Sequence, residues 1–179
     1  MRVLGAIIAG GQSRRFGSDK ALAMIDGRPM IAHVIETVRP QVERVAICGR
    51  EWPGLLALPD LREGRIGPLA GLEAALHHAA THGFDAVLSV PVDALPLPGD
   101  LVTRLQGRTP AVLRHQRLIG WWPIGYRSLL SEHLTRGNRA VRSWIAEAGA
   151  RAVDEPFPIG NLNHPADLVS AVLSRPQAA

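Results

Sequence analysis

The stretch Ile8-Ala9-Gly10-Gly11-Gln12-Ser13-Arg14-Arg15-Phe16-Gly17-Ser18-Asp19-Lys20 brings two adjacent glycines, two arginines and a lysine close together. Successive glycines bend the backbone sharply and let its N–H groups approach a phosphate chain. Arginine adds fork-shaped donors for phosphate oxygens, and lysine adds a compact point charge. The spacing matches neither Gly-x-x-x-x-Gly-Lys-Ser/Thr nor Gly-x-Gly-x-x-Gly. Taken alone, the stretch is either a polyphosphate cradle or a glycine turn followed by a solvated basic loop. Val90-Pro91-Val92-Asp93 closes an apolar run with a carboxylate. Such an aspartate is either a ligand for a hard cation or a turn and helix-cap residue.

These groups need a scaffold that carries them to one place. Val3 to Ala9 reads as a buried strand, too short for a helix and apolar on both faces. Pro29 opens a helix in which Ile31, Val34, Ile35 and Val38 share a face, and Pro40 stops it. Val45 to Cys48 is a second strand, Pro68 to Gly83 a second helix, and Asp85 to Val92 a third strand. Further on, 111–113 and 118–124 read as strands, and 128–135 and 140–148 as helices. Pro165 opens a last helix reaching Leu173. Strands alternating with helices predict an α/β fold, a Rossmann-like doubly wound, mostly parallel sheet with helices on both faces. In such sheets ligands sit beyond the carboxyl ends of the strands. Gly10-Gly11, Cys48-Gly49 and Asp93 are therefore expected to converge on one cleft. Residues 1–175 are expected to form one domain, and 176–179 a disordered tail.

Four segments together carry a resemblance. The glycine segment is similar to the Leu-Ala-Gly-Gly-x-Ser-x-Arg-Met-Gly-x-Asp-Lys signature of the molybdenum cofactor guanylyltransferases. Gly67-Pro68-Leu69-Ala70-Gly71 resembles their Gly-Pro-Leu-Ala-Gly before a helix. Val90-Pro91-Val92-Asp93 resembles their strand-ending metal aspartate, and Asn161-Leu162-Asn163-His164-Pro165-Ala166-Asp167-Leu168 their Asn-x-Asn-x-Pro-x-Asp/Glu-Leu. The order and intervals agree over nearly the whole chain.

The resemblance implies a nucleotidyltransferase that moves GMP from GTP to molybdenum-molybdopterin, with Mg²⁺ and release of pyrophosphate. It assigns Lys20 to an α- or β-phosphate oxygen, Arg15 to the outgoing pyrophosphate and Asp93 to Mg²⁺. Ile8, Ala9, Gly10 and Gly11 would contact the nucleotide through backbone, and Asp60 would read the base; the alternative for Asp60 is a turn cap. Asn161 and Asn163 would face the acceptor, although Asn163 also suits the cap of the helix opened by Pro165. A cytidylyltransferase of the same type, or a non-catalytic nucleotide-binding subunit, is the competing reading. Gly10-Gly11 and the intact Gly67–Gly71 motif count against the first, and Lys20, Arg15 and Asp93 together against the second. Transient contact with molybdenum-insertion proteins and molybdoenzyme chaperones is implied as well.

Some positions depart from the family pattern. Cys48 stands where asparagine is common, and a thiol is a weak hydrogen-bonding group. Ala94-Leu95-Pro96 follows Asp93 in place of Thr-Pro. Trp121-Trp122-Pro123 replaces a His-Pro pair; it fits core packing, with stacking on a pterin as the alternative. His77, His78 and His82 lack a nearby cysteine or carboxylate and read as a solvated helix face.

The bulk composition, 46% apolar and 20% charged, fits an ordinary soluble globular protein and does not choose its function. Of 20 basic residues in 179, 19 are arginine and Lys20 is the one lysine. They are scattered, and aromatics make up 4%, so a nucleic-acid surface is not expected. No apolar run reaches the length of a membrane span. A single cysteine excludes an internal disulfide and suits a reducing compartment, the cytoplasm.

Overall fold

The computed structural model describes residues 1–10, 19–64 and 66–161. The expected helix from Pro165 and the tail 176–179 lie outside them. The chain opens with β1 (Val3–Ile8), followed by a short hairpin of β2 (Met24–Ile25) and β3 (Arg28–Pro29). Asp26 and Gly27 turn this hairpin, both with positive φ (48° and 73°), as a two-residue Asp-Gly loop requires. Helix α1 (Met30–Val38) leads into β4 (Arg44–Cys48) and β5 (Leu56–Leu58). Helix α2 (Pro68–Thr81) returns the chain to β6 (Ala86–Pro91), after which β7 (Ala94–Leu95) and α3 (Leu101–Leu105) follow. The remainder comprises β8 (Ala111–Leu113), β9 (Gly120–Pro123), α4 (Arg127–Thr135), α5 (Val141–Glu147), β10 (Arg151–Val153) and β11 (Gly160–Asn161).

Seven strands form the main sheet in the order β10-β8-β9-β6-β1-β4-β5. The pairs around β1 (with β4 and with β6), the β4–β5 pair and the β8–β10 pair are parallel, while β9 runs antiparallel to β6 and β8. The sheet is thus mostly parallel, as the alternation of elements predicts. The exception arises where a six-residue connection turns β8 straight back into β9, too short for a crossover helix.

Side chains alternate across β1. Val3 and Ile7 face a core with Met30, Ile31, Val34 and Val38 of α1. Leu4 and Ala6 face a second core with Leu69, Leu72, Leu76 and Ala79 of α2. Helices therefore cover both faces, which is why β1 is apolar at every position. Trp121 and Trp122 point into these two cores in turn, each about 1% exposed. Their indole N–H groups donate to the Gly107 carbonyl (2.9 Å) and the Ser89 hydroxyl (2.8 Å). Core packing, and not pterin stacking, is their role.

Candidate active site

Because β6, β1, β4 and β5 are adjacent and parallel, their carboxyl ends share one edge. At that edge Ala9 N–H donates to the Cys48 carbonyl (3.0 Å) and Val92 N–H to the Ile8 carbonyl (3.1 Å). The ends of β1, β4 and β6 are thereby tied together. Gly10 meets Gly49 backbone to backbone: a Cβ on Gly49 would lie 2.4 Å from the Gly10 Cα, and Gly49 has φ of 83°. Glycine at 49 is required by both space and conformation. This contact gives Gly10 a packing reason to be glycine, apart from any ligand.

Lys20 begins a 3₁₀ turn (Lys20–Leu22) capped by the Asp19 carboxylate, which accepts from Ala21 N–H at 3.2 Å. The turn carries Lys20 Nζ to 2.7 Å from Asp93 Oδ2. Both side chains are largely enclosed, 12% and 25% exposed. Partial enclosure strengthens their attraction over that of a surface pair. Asp93 lies in the turn between β6 and β7; its Oδ1 makes no hydrogen bond among the described residues. Asp19 also forms a two-pronged ion pair with Arg50, just beyond β4, and the Arg50 hydrogen bonds pull its carboxyl below the usual aspartate range. The Asp19-Lys20 dipeptide is thus fastened to β4 on one side and to the β6 turn on the other.

Helix α2 approaches the same edge. A Cβ on Gly71 would lie 2.9 Å from the Cys48 Cβ and 3.2 Å from Ile8 Cδ1. The last glycine of Gly67–Gly71 therefore lets the first turn of α2 press against the ends of β1 and β4. Cys48 is buried; desolvation, then the negative charge of Asp60, pushes its thiol up to about 12. It is not an activated nucleophile.

Asp60, two residues past β5, is exposed and makes no ion pair or hydrogen bond among the described residues. Partial burial nevertheless raises its carboxyl above the usual aspartate range. On the opposite flank Asn161 in β11 pairs with Ala94 in β7, so its backbone runs beside the Asp93 turn. Of the residues expected to act together, Ile8, Ala9, Gly10, Lys20, Asp93 and Asn161 gather at or beside this edge, with Asp60 at its β5 end. Gly11, Arg15 and Asn163 lie outside the described residues. His78 and His82 stack 3.8 Å apart. Among the described residues no three His, Cys, Asp or Glu side chains cluster as an all-protein metal cage would demand.

Sequence reasoning placed Gly49 at the cleft but missed Arg50 and the pair Arg62–Glu73. The ion pairs join residues 31 and 11 apart, which no local pattern encodes.

A family model for the MobA-like NTP transferase domain matches residues 5–158. The chain belongs to this family. It is 41% identical to a molybdenum cofactor guanylyltransferase of Acidiphilium cryptum, over 94% of this chain and 93% of that one. A protein of the same name from Cereibacter sphaeroides is 38% identical, over 96% of both chains. Among solved structures, molybdopterin-guanine dinucleotide biosynthesis protein A from Archaeoglobus fulgidus superposes with a TM-score of 0.76 at 20% identity, covering 97% of each chain. A 2-C-methyl-D-erythritol 4-phosphate cytidylyltransferase from Thermus thermophilus gives 0.70 at 18% identity, again over 97% of each. The MobA-like chain thus shares its fold with both of these proteins.

Proposed function

We propose that this chain transfers GMP from GTP to molybdenum-molybdopterin, giving molybdopterin guanine dinucleotide and pyrophosphate. Residues 1–175 act as one domain, in the cytoplasm. The observation that carries the reading is the Lys20–Asp93 pair, 2.7 Å apart, at the strand edge where Gly10 and Gly49 touch. Names of relatives at up to 41% identity supply the nucleotide and the acceptor.

Nucleotidyl transfer needs no protein nucleophile. An acceptor phosphate oxygen attacks the α-phosphorus, the bond to the β-phosphate oxygen breaks, and pyrophosphate leaves with the electron pair. Positioning and charge neutralisation provide the acceleration. Lys20 Nζ donates to an α- or β-phosphate oxygen as negative charge accumulates there. Before nucleotide arrives, Asp93 keeps that ammonium compensated and aimed. Arg15 holds the departing pyrophosphate. Backbone at Ile8, Ala9, Gly10 and Gly11 lines the nucleotide, Asp60 accepts from guanine N1–H and N2–H₂, and Asn161 and Asn163 face the acceptor. Asp93 fits Mg²⁺, which is commonly held by one or two carboxylates plus phosphates and water; when bound, the ion neutralises phosphate charge. Transient contact with molybdenum-insertion proteins and molybdoenzyme chaperones belongs to the same reading.

Thermal unfolding with GTP, CTP, ATP or UTP, each with and without Mg²⁺, tests the assignment through linkage. GTP with Mg²⁺ should raise the midpoint most, and pyrophosphate release should require molybdenum-molybdopterin. Selective stabilisation by CTP would replace guanine with cytosine, and nucleotide binding without turnover would leave a carrier subunit.

A further inference from the structure

The loop that follows β5 carries Asp60 out to the strand edge, yet Asp60 itself is tied to nothing among the described residues. Two residues on, Arg62 is tied heavily. Its Nε donates to both oxygens of Glu73 (3.0 and 2.8 Å), and its Nη2 to Glu73 Oε1 (2.7 Å). Nη2 also reaches the Ser131 carbonyl (2.9 Å) and hydroxyl (3.0 Å), and Nη1 the Thr135 hydroxyl (3.1 Å). Glu73 sits in the middle of α2 among apolar neighbours, with its side chain only 6% exposed. Burying a carboxylate there is costly unless a partner satisfies it. A planar guanidinium gripping a carboxylate on two sides fixes direction as well as distance.

We propose that Arg62 and Glu73 are positioning residues for nucleotide selection: they clamp the Pro59–Gly64 loop to α2 and α4, so that Asp60 is presented unpaired to the base. The inference rests on the guanine-reading role given to Asp60 above. No other side-chain hydrogen bond anchors the described part of this loop, so the clamp governs where that carboxylate stands. A carboxylate that accepts from both N1–H and N2–H₂ of guanine separates GTP from inosine triphosphate, which lacks the 2-amino group. The clamp should therefore be visible in that ratio.

The experiment measures dissociation constants for GTP and inosine triphosphate, with Mg²⁺, on the full chain. The wild type, Asp60→Asn, Arg62→Met, Arg62→Lys and the double variant Asp60→Asn/Arg62→Met are compared, with thermal midpoints alongside. Wild type should prefer GTP by about tenfold, the order expected for one charge-assisted hydrogen bond. Asp60→Asn should erase most of that preference. Arg62→Met should erase a comparable share, and Arg62→Lys, which keeps charge but not the fork, a smaller one. In the double variant the Arg62 change should add nothing to the ratio, because the group it positions is gone.

If Arg62→Met or, should that variant not fold, Arg62→Lys lowers the midpoint but leaves the wild-type ratio, the clamp is structural only and the proposal is overturned. A ratio unaffected by Asp60→Asn overturns it too, by removing the base reader. A wild type that binds CTP in preference to GTP would instead strike at the proposed function.

Discussion

Asp93 and Asp60 are two carboxylates on the same strand edge, held in opposite ways. Asp93 follows β6 and spends one oxygen on Lys20 at 2.7 Å. Asp60 follows β5, at the far end of the sequence β6-β1-β4-β5, and makes no hydrogen bond or ion pair among the described residues. One is compensated by a lysine; the other stands open among the described residues, two positions before the Arg62 that bonds to Glu73. Environment, not residue type, assigns such groups to different tasks. On the proposed reading, the phosphate side holds its charges as a pair, and the base side keeps an acceptor for a donor that arrives with the substrate.

The sharpest test of this division is Asp93→Asn. Turnover should fall by about a thousandfold, roughly 4 kcal/mol of transition-state stabilisation, while circular dichroism stays near wild type. Near-normal turnover would show that the paired carboxylate is a structural tie. Next comes Gly49→Ala, which puts a methyl into the Gly10 backbone at a left-handed position. A stability loss of about 3 kcal/mol is expected, measured by urea unfolding; a loss below ~1 kcal/mol would mean the edge can relax. Asp60→Asn should raise the KM for GTP by about tenfold, some 1.4 kcal/mol, and leave kcat within a factor of about two. A fall in kcat instead would merge the two carboxylates into one function.

A pH series sharpens the same point with a smaller effect. Burial lifts the Asp60 carboxyl above its ordinary 3.8. The protonated form loses an acceptor, so GTP affinity should weaken as pH falls through this raised value, and Asp60→Asn should flatten that segment. Smallest of all is Cys48→Ala. It should cost about 1 kcal/mol of stability for the lost buried sulfur and leave nucleotide affinity within twofold. A larger change in affinity would give the thiol a role at the base.

Much of the fold was legible because its main elements are long and uniformly apolar or periodic. The strand at Val3, the helix opened by Pro68 and the strand ending before Asp93 fall within a residue or two of their expected limits. The short pieces escaped. Strands β5, β7, β10 and β11 have two or three residues each, too few for a period, and α3 has five. The β2–β3 hairpin did carry a local signal, Asp26-Gly27, that was passed over. Convergence of Gly10, Cys48-Gly49 and Asp93 followed from topology alone, since parallel strands end at one edge. Arg50 with Asp19, and Arg62 with Glu73, depended on how loops fold back, and no spacing foretells that.

The mutual contact of Gly10 and Gly49 has a practical consequence for engineering. A library that diversifies the turn after β1 cannot treat the turn after β4 as a bystander, because any side chain added at one point of contact intrudes on the main chain at the other. On the proposed reading, altered nucleotide preference is to be sought at Asp60 and its support, with both turns left intact.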